Sequence, residues 1–446
     1  MSEFVVEEAT ILDACGETDF PPMGVLEQVW DTDPIPEADL TTVAHEQVDA
    51  LALEDVPSGG EIAVGAGSRG ITGIDAVVRG TVEGLTDRGY DPFVFPAMGS
   101  HGGATAEGQR AKLAEYGITE DAIGCEIWAT MEVEQVGETA DQGISVVADA
   151  NAVAADAIVP VNRIKPHTDF IGDVESGLSK MLVIGMGKQH GAKTAHEWAI
   201  DWSFSRMIPE IAGTLLDVLP VAGGVAIVED QYHEPAIVEG IPPDGFLTRE
   251  AELLDEAYDR MPSLPFDELD VLVLDRMGKD VSGAGMDTNV IGRLELLHEP
   301  APDRPDVKRI FVRSLTGPSH GNAVGLGTAD FVHRDLTAAV DAKQTLINAL
   351  TAGSVRMARL PPVVETDRAG MVAALSTIGA DATAAPRVIR ATDTQHLKYC
   401  YASEPLVEAA RNRDDLRVIA EPTPVEFARN GDFADASPME LEQPTS

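Results

Sequence analysis

Lysine is scarce in this chain, with nine in 446 residues. Aromatic residues make up only 5%, and no apolar run approaches the roughly 20 residues of a membrane span. Cys15, Cys125 and Cys400 are odd in number, far apart and without a CxxC pair. That argues against a disulfide framework or a zinc knuckle and fits a reducing compartment. The first residues, MSEFVVEEAT, are acidic and lack the basic start of a signal peptide. Positive charge is short throughout: 32 Lys and Arg stand against 75 Asp and Glu, a formal net charge of -43. Such a surface repels nucleic acid and anionic membrane, so neither is expected as a partner. The acids are spread along the chain instead of gathered in one tail. With so little lysine, this reads as adaptation to high salt, where screening makes self-repulsion tolerable. A cytoplasmic protein of a salt-loving microbe is the expectation.

Against that background the stretch from Ile158 to Trp198 stands apart. It holds four of the nine lysines (Lys165, Lys180, Lys188, Lys193) and three of the ten histidines (His167, His190, His196). It opens as a buried strand, Ala157 to Val161, and becomes Gly-rich, polar and basic. Functional groups are often carried on such a loop at the end of a core strand.

The length predicts two domains. Glu61 onward reads as a strand running into a Gly-rich turn, followed by a helix from about Ile74 to Gly89. A strand at Pro92–Pro96 ends in Ala97-Met-Gly-Ser-His-Gly-Gly103, and a helix follows near Thr105 to Tyr116. This alternation predicts an α/β fold with largely parallel sheets. Pro262-Ser-Leu-Pro265 marks the boundary, giving domains 1–265 and 266–446. The second half restarts with a strand at Val271–Leu274, a strand at Arg309–Val312 and a long helix around Leu336 to Leu350. The acidic tail after about 426 is expected to be loosely ordered. Arg69, His101 and His167 each follow a predicted strand, so three strand tips would deliver polar groups to one sheet edge.

Gly65-Ala-Gly67 and Gly99-Ser-His-Gly-Gly103 are poor dinucleotide fingerprints, although either could cradle a phosphate on backbone N–H groups. His190 and His196 are six apart, not the i, i+4 pair of a zincin helix, and no histidine pair has a typical zinc spacing. His101 and His167 suit acid–base work, because imidazole titrates nearest neutrality. Two of them flanking a substrate form a racemase or epimerase arrangement.

Several ordered motifs together resemble the nickel-dependent lactate racemase family over most of the chain. They are Gly67-Ser-Arg-Gly70, Gly99-Ser-His-Gly102, Val136-Gly-Glu-Thr139, Val161-Asn-Arg-Ile-Lys-Pro-His167, Glu175-Ser-Gly-Leu-Ser-Lys180, Ile184-Gly-Met-Gly-Lys188 and Ser282-Gly-Ala-Gly-Met-Asp287. The resemblance implies two α/β domains with the active site in the cleft between them, and a nickel pincer nucleotide, a pyridinium bisthiocarboxylate mononucleotide holding Ni through two sulfurs and a ring carbon. It implies reversible hydride chemistry at the α-carbon of a 2-hydroxy acid. Carried over, His101 and His167 match the acid–base pair, Lys180 the tethering lysine and His196 the nickel ligand, with His190 in reserve. Arg69, Ser68 and Gly177 fall on cofactor-binding positions. Three departures bear on the substrate. The interval from His167 to Lys180 is three residues longer than in the lactate enzyme. Ala66 stands where the family has an Asp. Val290-Ile-Gly-Arg293 replaces a loop with Tyr-Gln and a lysine, so Arg293 becomes the expected substrate-carboxylate ligand. Lactate or a larger acid such as an aldonate is the implied substrate. A sugar-acid lyase or dehydratase, or a non-catalytic nucleotide or hydroxy-acid binder, is the alternative.

Overall fold

The computed structural model describes residues 4–16, 18–67 and 70–442. The chain divides into two compact units, residues 32–261 and residues 1–31 with 262–446. The break at 261 falls four residues before the boundary read from the prolines. The first 31 residues, read as part of the N-terminal domain, belong with the C-terminal half. The reason is strand pairing: Met23–Gln28 lies between Tyr399–Ser403 and Leu416–Thr423, antiparallel to both.

The 32–261 unit is built on a five-stranded sheet. Its order is Asp91–Pro96, Glu61–Ala66, Ala157–Arg163, Gly224–Glu229 and Pro235–Ile241; the first four are parallel and the last antiparallel. Alternate residues serve opposite faces, as the pleat requires. Ile62, Val64, Val94 and Val159 join the core containing Leu40 and the Ile74–Asp87 helix. Ala63, Phe93, Phe95 and Ile158 join the core containing Met181, Leu182 and the Phe204–Val218 helix. Both faces are therefore covered, which is why these strands read as continuous apolar runs.

Connections decide where a ligand fits. From the strand ending at Ala66 the chain moves to one side, to Asp91–Pro96. It then crosses to the other side, to Ala157–Arg163, and continues outward to Gly224–Glu229. The direction reverses between the strands ending at Ala66 and Arg163. Their carboxyl ends form a topological switch point, the usual ligand crevice of an open α/β sheet.

The other unit carries a nine-stranded sheet, parallel through Glu268–Leu274, Asp306–Val312 and Val388–Ala391 and antiparallel at its Leu416–Thr423 edge. The long helix expected around 336–350 is two helices, Arg334–Ala339 and Ala342–Thr351. Asp341 separates them, its carboxylate accepting the N–H groups of Lys343 and Gln344 at 2.9 and 3.0 Å. The acidic tail also departs from expectation, because residues 427–442 are packed. Phe427 stacks on Phe433 at 5.3 Å and tilts against Phe20 at 5.0 Å. The Met439 N–H donates to Thr392 Oγ1 at 2.8 Å. Two aromatics and a set of backbone donors anchor a segment that composition alone marks as solvated. Among the described residues no helix is long and apolar enough to cross a membrane.

Candidate functional site

The parallel register lines up Pro96, Ala66 and Val161, so the loops that follow them leave one edge of the sheet. The loops bearing His101 and His167 are rooted two strands apart, about 10 Å at their bases. Ser68 and Arg69, on the intervening loop, lie outside the described residues.

The His167 loop is closed at its base. Lys165 and Ser176 exchange backbone hydrogen bonds, the Lys165 N–H to Ser176 O at 2.9 Å and the Ser176 N–H to Lys165 O at 3.2 Å. Inside sits Glu175, 1% exposed. Its carboxylate accepts the His167 N–H, the Gly172 N–H at 3.1 Å and the Tyr258 hydroxyl at 2.9 Å. Burial outweighs these donors and pushes its pKa up to about 7.

Aromatic contacts link this loop to the lysine and to a second histidine. The His167 ring stacks on Phe170 at 4.7 Å, Phe170 stacks on Phe204 at 5.3 Å, and His196 meets the edge of Phe204 at 5.5 Å. Lys180 Nζ lies 5.4 Å from the Phe170 ring centroid. His167, Lys180 and His196 thus surround one aromatic pair. His196 is exposed, as His190 is, yet protein around its ring lowers its pKa through desolvation, helped by the positive charge of Lys180 and opposed by Asp169. A neutral imidazole with a lone pair is the form that binds a metal. His190 is exposed on the same helix and makes none of these ring contacts.

The region read as an extended polar loop is helical from Leu178. A short α-turn, Leu178–Lys180, passes into a π-helical turn, Met181–Gly185, and then into the Lys188–Trp202 helix. π-turns within helices are frequent at functional sites. The start of this run is capped by Glu250, fully buried, whose oxygens accept the Ser179 N–H at 3.0 and 3.1 Å and the Ser179 hydroxyl. Gly177 makes that approach possible, since a Cβ there would lie 2.0 Å from Glu250 Oε1. Packing accounts for this glycine without a cofactor.

Glu250 has a measurable consequence. Burial raises its pKa from 4.5 to about 7. A raised carboxyl contributes stability that is complete below pH 4.5 and lost as pH rises through 7, because only the folded state holds the proton in that window. Glu250→Gln is expected to shrink the fall in unfolding free energy between pH 5 and pH 8 by up to about 3 kcal/mol. Denaturant titrations at the two pH values measure it, and an unchanged fall would show that Glu250 is ionised throughout.

The His101 loop is held by a second buried network. Gln109 Nε2 donates to Gly99 O at 2.8 Å and to His101 O at 3.3 Å, and Gln109 Oε1 accepts from Lys188 Nζ at 3.3 Å. Lys188 is fully buried, paired with Asp149 at 2.8 Å, and also donates to Pro96 O. Burial lowers the Lys188 pKa and raises that of Asp149, and each partner's charge opposes the other's shift. The Gly99 N–H donates to Gly185 O at 3.0 Å, so the His101 loop rests on the π-turn. His101 itself is exposed, at the start of a short 3-10 turn, Gly102–Ala104.

Arg293 does not fit its expected role. It pairs with Asp330 at 2.7 Å and donates to Thr328 O, Val307 O and Lys308 O at 3.0, 2.6 and 2.9 Å. With its N–H groups so committed, it braces its own unit and is not kept as a substrate ligand. Among the described residues, His333, Asp367 and Asp432 bring possible metal ligand atoms within 4.8 Å of one another. Their capacity is already used. Asp367 takes Arg313 in a bidentate pair, His333 Nε2 meets Asp432 at 3.2 Å, and His333 Nδ1 accepts the Asp335 N–H at 3.2 Å. This trio is a hydrogen-bond network.

No protein-family model and no curated protein matches the chain. Among solved structures, the lactate racemase apoprotein from Thermoanaerobacterium thermosaccharolyticum is similar with a TM-score of 0.44 and 14% identity, covering 84% of this chain and 89% of that one. A likeness that distant carries no argument about chemistry, which must come from the site itself.

Proposed function

We propose that this chain is a racemase or epimerase of a 2-hydroxy acid that works with a nickel pincer nucleotide. The observation that carries the reading is the grouping of His167, Lys180 and His196 around Phe170 and Phe204. That group stands beside the sheet's switch point.

The donor set fits such a cofactor. Lys180 offers a half-buried primary amine for a thioamide tether. His196, its pKa lowered in favour of the neutral ring, offers one imidazole nitrogen, and a square-planar site of nitrogen and sulfur suits nickel. Phe170 and Phe204, both buried, hold the three side chains together. When bound, the group supplies a hydride acceptor. The chain's own part is to bind the acid, orient its α-carbon and act on its hydroxyl group through His101 and His167, the two candidate acid–base histidines. Arg69 and Ser68, next in sequence to the strand ending at Ala66, are the proposed contacts for the anionic groups of cofactor and substrate.

A panel of single-enantiomer 2-hydroxy acids, aldonates included, tests this with protein made alongside the cofactor-synthesis machinery. Interconversion of enantiomers or epimers at constant elemental composition is expected, with an α-deuterium retained in the product. Loss of water or carbon–carbon cleavage would favour a lyase or dehydratase, and binding without turnover a non-catalytic role.

A further inference from the structure

The two histidines are not equivalent in their surroundings. The Asp169 backbone N–H donates to His167 Nδ1 at 3.0 Å. A backbone amide has only a hydrogen to offer, so the Nδ1 lone pair is in use and the proton of the neutral ring is on Nε2. We propose that His167 acts as a neutral hydrogen-bond donor through Nε2, polarising a substrate oxygen, and that proton transfer falls to His101. This rests on the racemase reading for its catalytic meaning, but the tautomer stands on the loop geometry alone.

Both ways of using His167 as a proton carrier are blocked. Protonation would place a hydrogen on Nδ1 and point it at the Asp169 N–H, exchanging a hydrogen bond for two opposed donors. Giving up the Nε2 proton from the neutral ring would leave an imidazolate. A locked, neutral, donating imidazole is a known way to polarise a carbonyl.

The lock is built from several parts. Glu175 accepts the N–H of His167 itself and the N–H of Gly172, so one buried carboxylate pins both ends of the 167–172 turn. Tyr258 holds that carboxylate from the Phe246–Arg260 helix. The stack on Phe170 keeps the ring from turning away from Asp169. Among the described residues, Asp169 and Glu175 on the loop of His167 and Lys180 across Phe170 are charged groups close to it. Glu175 touches no reacting atom in this account and is a positioning residue.

The test has two arms. In the first, the full chain labelled with 15N in its imidazoles is examined by NMR, with His167→Gln used to assign the resonances. His167 is expected to show a pyridine-like Nδ1 and a pyrrole-like Nε2 across the range in which free imidazole titrates. Glu175→Ala is expected to convert this to a mixture of tautomers, while Tyr258→Phe, which keeps both backbone clamps, does not. A protonated Nδ1 in the wild type, or a His167 that titrates like a free imidazole, overturns the proposal. The second arm uses turnover. Glutamine places an amide N–H near the position of Nε2, so His167→Gln should stay within about tenfold of wild type, whereas His101→Gln should fall as far as His101→Ala. A His167→Gln as inactive as His167→Ala overturns the donor role. If the wild type turns over no 2-hydroxy acid, the functional reading fails, and the NMR arm still decides the tautomer.

Discussion

Replacing His101 by alanine is expected to lower turnover by about 10²–10⁴-fold, the range for a general acid–base group, with nickel content and adduct mass unchanged. The side chain is exposed. The loop backbone is held by the His101 N–H to Met98 O at 3.1 Å and by the two Gln109 bonds, none of which involves the imidazole. His167→Ala is also expected to lose activity, by about 10²–10³-fold, as when one preorganised donor is removed. It carries a structural penalty as well, since its ring packs on Phe170 and accepts the Asp169 N–H. Steady-state rates and metal analysis on the same preparations check both. Retained turnover in His101→Ala would remove it from the chemistry.

Lys188→Met is expected to destabilise the 32–261 unit by about 3–5 kcal/mol, the cost of leaving one partner of a buried ion pair behind. Asp149 would keep only its capping bonds to the Asn151 and Ala152 N–H groups. The Pro96 carbonyl and Gln109 Oε1 would each lose a donor. Lys188 also sits at φ 55°, a left-handed conformation that a non-glycine residue adopts only when its surroundings require it. Restoring apolar character at both positions, as Lys188→Met with Asp149→Leu, should recover part of the loss, because no charge is then stranded. Denaturant unfolding of the single and double variants measures this. A single variant within 1 kcal/mol of wild type, as roughly expected of an exposed pair, would contradict the burial argument.

What could be read from the chain alone divides along physical lines. The parallel strands at Glu61–Ala66, Asp91–Pro96 and Ala157–Arg163 are apolar on both faces and bounded by glycine or polar turns, so their ends and the loops beyond them were legible. Placing His101 and His167 at one sheet edge follows from that. The edge strand Leu416–Thr423 and its neighbour Met23–Gln28 were not legible, because they mix charged and polar residues with apolar ones. Their partners are also distant in sequence. Pro422 suits such an edge, where a missing donor costs little. The Lys188–Trp202 helix was hidden by Gly187, Gly191 and a polar composition. Contacts made by residues such as Ala192 and Ala195, which are buried, hold it. Placing His196 on that helix, within reach of Phe204, needed the structure.

Glu175 and Glu250 were missed for a different reason. Each carboxylate is defined by what it accepts, and the contact between Ser179 and Glu250 spans 71 residues. The available signal was Gly177 between Ser176 and Leu178 at a helix start, a place where a missing Cβ often admits another group. Arg293 shows the reverse error: a guanidinium at a plausible loop position, read as a ligand, whose donors are taken by nearby carbonyls and Asp330.

Lys180 and His196 are proposed to hold a nickel pincer nucleotide. Intact mass and nickel analysis, on protein from its native host or from a strain shown to make the cofactor, test it most directly. The expected result is a mass increase that maps to Lys180 on peptide analysis, about one nickel per chain, and loss of the metal without loss of the adduct in His196→Ala. Unmodified, nickel-free protein from that strain would contradict it and remove the hydride mechanism.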